Sequence, residues 1–323
     1  MEHKSDRLLG LSCGDRNGSA EILLKAALWS AEAEGATVEL VRLDDLRIPS
    51  ELSEPNGDDL EWLWEKLVAC DGLVISTPVI CRTTSPRLKL LADRLLGPDA
   101  DVVVTEEILA LRREGIESPL PFRADERVLK PRVAAFIAVG GSLLPRWKTL
   151  TLPLMHVMAT PMHMAVVDQV QFAGGGTPRS ILLDPAAVER AALLGRNIAA
   201  QLGRSFDEAE YRGDPGLCPM CHLDVVVLHG RNVECATCGA QGELDDDALV
   251  RWTDLSASII SLNEKRAHFH EILQTAQNHF AQSATIETRA AEFDAYDRVV
   301  APDSGAPQVV GADVPAGPLV VHT

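Results

Sequence analysis

Aromatic residues and positive charge are what this chain of 323 residues has least of. Phe, Trp and Tyr make up 4%, too few for a surface on which single-stranded nucleic acid would stack its bases. Lys and Arg number 30 against 47 Asp and Glu, and the net charge of −17 works against nucleic-acid backbones and anionic membrane surfaces. No uninterrupted apolar run approaches the roughly 20 residues of a membrane span. The opening Met-Glu-His-Lys-Ser-Asp-Arg is charged and lacks the apolar core of a signal peptide. A dispersed disulfide framework is missing too: four of the seven cysteines sit in two close pairs, the pattern of a metal site in a reducing compartment. These absences predict a cytoplasmic protein with neither nucleic acid nor membrane as a partner.

What is present is a hydrophobic share of 46%, enough for one large domain and a small one. Residues 8–20 organise the large one. An apolar run ends in small and polar residues, and a helical pattern starts at Glu21. A strand turning into a helix gathers unpaired backbone N–H groups at the positive end of the helix dipole, a site for a phosphate. Arg16 adds a cation, Ser12 and Ser19 add hydroxyls, and Gly14 and Gly18 allow close approach of the backbone. The same pattern also fits an ordinary strand-to-helix turn. Further strands are expected at 37–43, 71–78, 133–139 and about 163–170, with helices at 58–69, 85–96, 143–158 and 185–202. Five strands alternating with helices predict a doubly wound α/β sheet over residues 1–206. An insert at about 99–131, with a helix-like piece over 105–114, either covers a ligand or subunit contact or is an exposed elaboration.

Cys218-Pro-Met-Cys221 and Cys235-Ala-Thr-Cys238 are separated by thirteen residues that read as a hairpin. Two thiolates from each tight turn make a closed tetrahedral S4 site, so residues 213–244 read as a zinc ribbon. Iron in a rubredoxin-like site, relaying single electrons, is the alternative; His222, where rubredoxins carry glycine, favours zinc. Glu243, Asp245, Asp246 and Asp247 flank the ribbon and suit a protein or oligomer contact better than nucleic acid. Residues 245–300 are expected to form a helical arm, with Phe269, Ile272, Leu273, Ala276 and Phe280 recurring at three and four. Residues 301–323, rich in Pro, Gly, Ala and Val, read as a flexible tail.

Two stretches carry a family resemblance. Cys13-Gly14-Asp15-Arg16-Asn17-Gly18-Ser19-Ala20 forms the first; the second is Asp71-Gly72 leading into Ser76-Thr77-Pro78-Val79-Ile80, with Leu88-Lys89 and Asp93-Arg94 after it. Together they resemble the flavodoxin-like NAD(P)H-dependent FMN reductases, and more narrowly the branch with iron–sulfur flavoproteins, over roughly residues 7–203. The resemblance implies a flavodoxin-like five-stranded parallel sheet with FMN across the carboxyl ends of the strands and NAD(P)H as co-substrate. It implies that Ser12, Arg16, Asn17, Gly18, Ser19 and Ala20 hold the ribityl phosphate. Pro78, Val79, Ile80, Cys81, Arg82 and Thr83 would then run along the isoalloxazine ring, and Gly140, Gly141 and Ser142 would close the other side. A homodimer or homotetramer with flavin near the interface is implied as well. Gly14 and Ala20 depart from the family's Ser and Thr, and Ile80 stands where an aromatic is common. The cluster cysteines are absent from residues 44–57, so no iron–sulfur cluster is expected there.

No side chain stands out as catalytic. Cys81 and Arg82 face either the flavin or solvent; Cys13 reads as a packed small residue, and His156 and His163 as hydrogen-bonded structural residues. The expected protein is an FMN-dependent NAD(P)H oxidoreductase reducing a small conjugated acceptor: a quinone, a nitro or azo compound, or flavin. An FMN-dependent tailoring enzyme for one specific metabolite is the second reading. A non-enzymatic electron carrier or zinc-ribbon scaffold is the third.

Overall fold

The computed structural model describes residues 6–49, 57–118, 120, 122–294 and 298. Five segments form parallel strands: β1 (Arg7–Ser12), β2 (Thr37–Arg42), β3 (Gly72–Pro78), β4 (Val133–Val139) and β5 (Ala165–Phe172). Their order in the sheet is β2-β1-β3-β4-β5, the flavodoxin-like order. The helices of this part are α1 (Ser19–Ala33), α2 (Leu60–Ala69), α3 (Pro86–Leu95), α4 (Val102–Arg113), α5 (Thr151–Met155) and α6 (Pro185–Ala199). Helices cover both faces of the sheet, which is why β1, β3 and β4 read as continuous apolar runs rather than alternations. Within β4 the pleat still divides the side chains. Ala134, Phe136 and Ala138 enter the core beneath α2, α3 and α4, while Val133, Ala135, Ile137 and Val139 enter the core beneath α1 and α6.

Local chemistry sets the helix starts. Pro86 opens α3 where no N–H is needed. Asp101 caps α4 by accepting from the Val103 and Val104 N–H groups at 2.8 and 3.2 Å. The insert around α4 is therefore not a solvent-exposed elaboration: Val102 and Val103 are buried in the same core as Leu63, Trp64 and Leu91. The expected helix over 143–158 is broken into α5 and flanking 3-10 turns at 145–147 and 156–158.

A second sheet follows, antiparallel, in the order β6 (Val226–His229), β7 (Asn232–Cys235), β8 (Gln241–Leu244), β9 (Val250–Asp254). The helical arm expected from residue 245 is corrected here: Val250–Asp254 is a strand paired to β8, and helix α7 (Leu262–Phe280) begins only at Leu262. The described residues from Ile272 on belong to a second compact unit that holds the end of α7 and α8 (Ser283–Asp294). The tail expected at 301–323 lies outside the described residues. Among the described residues, no helix is long and apolar enough to cross a membrane.

Candidate functional site

Strand order reverses between β1 and β3, which opens a crevice at the carboxyl ends of the strands. One end of it is the start of α1. Gly18, extended at φ −71° and ψ 171°, precedes the helix and supplies no side-chain cap, so the first-turn N–H groups remain open to a ligand. The Gly18 N–H donates to the Asp15 carbonyl at 2.8 Å, with Asn17 at φ 57° tightening the turn. Ser19 is 7% exposed, and its Oγ has no hydrogen-bond partner. A buried hydroxyl left unsatisfied is costly, so an acceptor ligand beside it is favoured. Ser12, by contrast, is spent within the protein: its hydroxyl donates to the Glu21 carboxylate at 3.4 Å. Burial pushes the Glu21 pKa up, but bonds from Arg42 at 2.7 Å and Lys25 at 2.6 Å hold it down at about 2. Glu21 is thus an anion that brings its own cations.

The cleft has a volume of about 740 Å³ and is walled by residues 13–20, Asp44, 78–80, 85–87, Val139, Gly141 and 175–179. Two glycines permit its shape. A Cβ on Gly14 would lie 2.9 Å from Pro78 Cδ. One on Gly175 would lie 2.5 Å from Val139 Cγ1 and 3.5 Å from Ser19 Oγ. Of the residues expected from sequence, Arg16, Asn17, Gly18, Ser19, Ala20, Pro78, Val79, Ile80 and Gly141 line this cleft. Ser12, Arg82, Gly140 and Ser142 do not. The Lys148 stem packs against Gly140, Ser142 Oγ accepts the Leu144 N–H at 3.1 Å, and Arg82 donates to Thr149 Oγ1 at 3.0 Å. A tight reversal explains Arg82: Ile80 and Thr83 exchange backbone bonds of 2.9 and 2.8 Å, with Cys81 and Arg82 left-handed at its tip. Cys81 and Thr83 instead border a neighbouring hollow of about 370 Å³, which Ile80, Leu88, Leu154 and Val157 make largely apolar.

Sequence reasoning missed Asp44, Ser85, Pro86, Arg87 and the loop 175–179. The run Gly174-Gly175-Gly176 after a strand was the signal available for that loop. The cleft's cations differ in their commitments. Arg16 pairs with Asp45 at 3.0 Å, and Arg87 pairs with Asp44 at 3.1 Å while bonding the Leu43 carbonyl. Arg179 makes no ion pair among the described residues. Burial pushes the Cys13 thiol well above its ordinary pKa, so it is a packed thiol and not a nucleophile. A ligand with an anionic end suits the open helix start and the unpartnered Ser19 hydroxyl: FMN would rest its phosphate on α1 and its ring along residues 78–80. His156 and His163 do not wall the cleft. His156 is buried and shares a 3.0 Å hydrogen bond with Gln169, whose amide donates to the Cys221 carbonyl at 2.7 Å.

At the other site the four Sγ atoms of Cys218, Cys221, Cys235 and Cys238 lie within 4.8 Å of one another, all buried. The pairs Cys218–Cys238 and Cys221–Cys235 are 3.6 and 3.4 Å apart. A tetrahedral ion with sulfur bonds of about 2.3 Å requires about 3.8 Å between sulfurs, so the set fits one closed metal site with no open position. His222 and Gly239, each following a knuckle's second cysteine, are left-handed at φ 57° and 77°.

Comparisons with known proteins match most of the chain. Residues 7–178 match the model of the NADPH-dependent FMN reductase family. Flavone synthase cfoJ of Aspergillus candidus is 33% identical over 309 residues, covering 88% of this chain and 94% of that protein. A solved structure described as a flavone reductase superposes with a TM-score of 0.77 at 29% identity, covering 92% of this chain and 100% of its own.

Proposed function

The chain belongs to the NADPH-dependent FMN reductase family and is an FMN-dependent oxidoreductase, and from that premise we propose that it interconverts a flavone and its 2,3-dihydro form. One observation carries the reading. The family model stops at residue 178, but the similarity to the flavone synthase and flavone reductase continues through the ribbon. The matched span thus reaches well beyond the reductase domain alone. In the reducing direction the C2=C3 bond of the flavone gains a hydride and a proton and becomes a single bond, and NAD(P)H becomes NAD(P)+. Bound FMN supplies the two-electron chemistry. The chain's own part is position. The α1 N-terminus and Ser19 would hold the phosphate end, and residues 78–80 would border the ring end. The apolar hollow beside Ile80 and Pro86, which wall both spaces, suits a flat polycyclic substrate.

We assign zinc to the four cysteines, as a structural ion in a closed site. A second copy of the chain is the proposed cover for the exposed Leu143, Trp147 and Leu150, and a monomer in sedimentation at micromolar concentration would remove that part. The functional test is an anaerobic assay of the holoprotein with NADPH or NADH against a flavone and against simple quinones, nitro and azo compounds. Conversion of the flavone with little turnover of the simple acceptors supports the tailoring role. Quinone or nitro turnover with no dihydro product marks a general reductase, and no NAD(P)H oxidation with any acceptor marks an electron carrier.

A further inference from the structure

The phosphate end of the cleft is short of free positive charge. Asp15, Asp44, Asp45 and Glu21 all lie on or beside the first loop, where Arg16 is bound to Asp45 and Arg87 to Asp44, and Arg42 and Lys25 serve Glu21. Hydroxyls are scarce as well, since Ser12 donates to Glu21 and Ser19 alone keeps a buried, unpartnered Oγ at the helix start. Dipole and N–H groups are there, but no uncommitted cation on that loop balances a dianion.

The loop after β5 brings one. Gly175 sits so close to the start of α1 that a Cβ on it would be 3.3 Å from Ser19 Cβ and 3.5 Å from Ser19 Oγ. Its N–H is held by the Gly140 carbonyl at 3.1 Å, and Gly176 packs against Gly141, whose added Cβ would lie 3.0 Å from Gly176 Cα. Thr177 and Arg179 then stand on the cleft wall. Arg179 is exposed, without an ion-pair partner among the described residues, and held left-handed at φ 62°, a conformation that side-chain-bearing residues keep only where the surroundings impose it.

We propose that this loop is a second phosphate clamp, in which Arg179, with the Thr177 hydroxyl beside it, closes on the FMN phosphate that Ser19 and the α1 N-terminus hold from the first loop. The clamp rests on the FMN assignment above. It gives the 175–179 loop a task that the sheet does not need, and it locates the cation that the first loop has committed elsewhere.

The test is titration of the flavin-free full chain with FMN and, separately, with riboflavin, which lacks the phosphate. Wild type, Arg179→Ala, Arg179→Lys and Thr177→Val are compared by flavin fluorescence at low and high salt. Loss of a charge-assisted bond predicts FMN binding about ten-fold weaker in Arg179→Ala, with partial recovery in Arg179→Lys and a smaller loss in Thr177→Val. Riboflavin binding is expected to be equal in all four, and the salt dependence of FMN binding is expected to flatten in Arg179→Ala. Unchanged FMN affinity overturns the clamp, as does an equal loss for FMN and riboflavin. A raised KM for NADPH with FMN affinity intact also overturns it and reassigns Arg179 to the nucleotide. A wild type that binds riboflavin as tightly as FMN at low salt overturns it without any variant. Failure of wild type to bind either flavin overturns the FMN assignment itself.

Discussion

The cleft and the ribbon would hold their ligands on opposite structural terms. The cleft is built on loops at the end of a sheet whose two apolar cores close without help from any ligand, with Leu9, Ile75 and Phe136 in one and Val74, Ile137 and Leu194 in the other. The ribbon has little core besides the four cysteines: Cys218, Cys221, Cys235 and Cys238 cluster with the buried Leu223, Ala240 and Ile260. Removing flavin should therefore leave the scaffold standing, whereas removing metal should dissolve the small sheet. Position can be preorganised where stability comes from elsewhere; where the ligand is the core, binding and folding are one event.

The sharpest way to break this contrast is Cys218→Ser or chelation of the metal. Structural zinc contributes about 10–16 kcal/mol of folding free energy in small peptides, so hydrogen-exchange protection should vanish over residues 218–254. Protection over β1, β3 and β4 should persist. Equal loss in both regions would show that the sheet depends on the ribbon. The next effect lies at their junction. His156, buried beside Phe136 at 5.4 Å between ring centroids, bonds Gln169, which holds the Cys221 carbonyl. Burial pushes the His156 pKa from 6.5 to about 4. The unfolded chain thus takes up a proton near pH 6.5 that the folded chain refuses until about pH 4. The stability this neutral ring confers is complete above pH 6.5 and falls as pH drops through that window, by on the order of 3 kcal/mol. Melting curves from pH 7 to 4.5 should show a shallower decline in His156→Gln than in wild type. Parallel curves would remove His156 as the source. A remaining slope is expected from His163, which burial also lowers to about 4.

Ser19→Ala sharpens the contrast from the cleft side. Deleting the unpartnered Oγ should leave the flavin-free protein as stable or about 1 kcal/mol more so, while FMN binding weakens about ten-fold and riboflavin binding does not change. Reduced stability of the flavin-free variant would mean the hydroxyl has a structural partner. The smallest effect is expected at the half-exposed wall of the apolar hollow. Leu154→Ala gives up roughly 1 kcal/mol of apolar contact and should raise the KM for a flavone about five-fold without touching FMN affinity. An unchanged KM would put the substrate elsewhere.

Much of this arrangement was legible in the residues. The sheet announced itself because its central strands are buried on both faces, so that 72–75 and 133–139 are unbroken apolar runs. The two C-x2-C pairs fixed their own meeting by chemistry. Strand β9 was hidden because Val-Arg-Trp-Thr-Asp is mostly exposed and has no run to read. Loop 175–179 was hidden because a glycine run shows no period; its importance comes from contact with Ser19, far away in sequence. Nor can sequence tell which way a hydroxyl turns: Ser12 and Ser19 look alike on paper, but one is bonded to Glu21 and the other is left open at the helix start. The turn at Cys81 and Arg82 depends on two positive φ values at non-glycine residues, a choice imposed by the fold around it.

Anchoring of the FMN phosphate at the start of α1 is tested most directly by a crystal structure of the holoprotein. Phosphate oxygens are expected within hydrogen-bond distance of Ser19 Oγ and the first-turn N–H groups of α1, with the ring along residues 78–80. A phosphate bound away from Ser19, with side chains filling the space at the helix start, would contradict it.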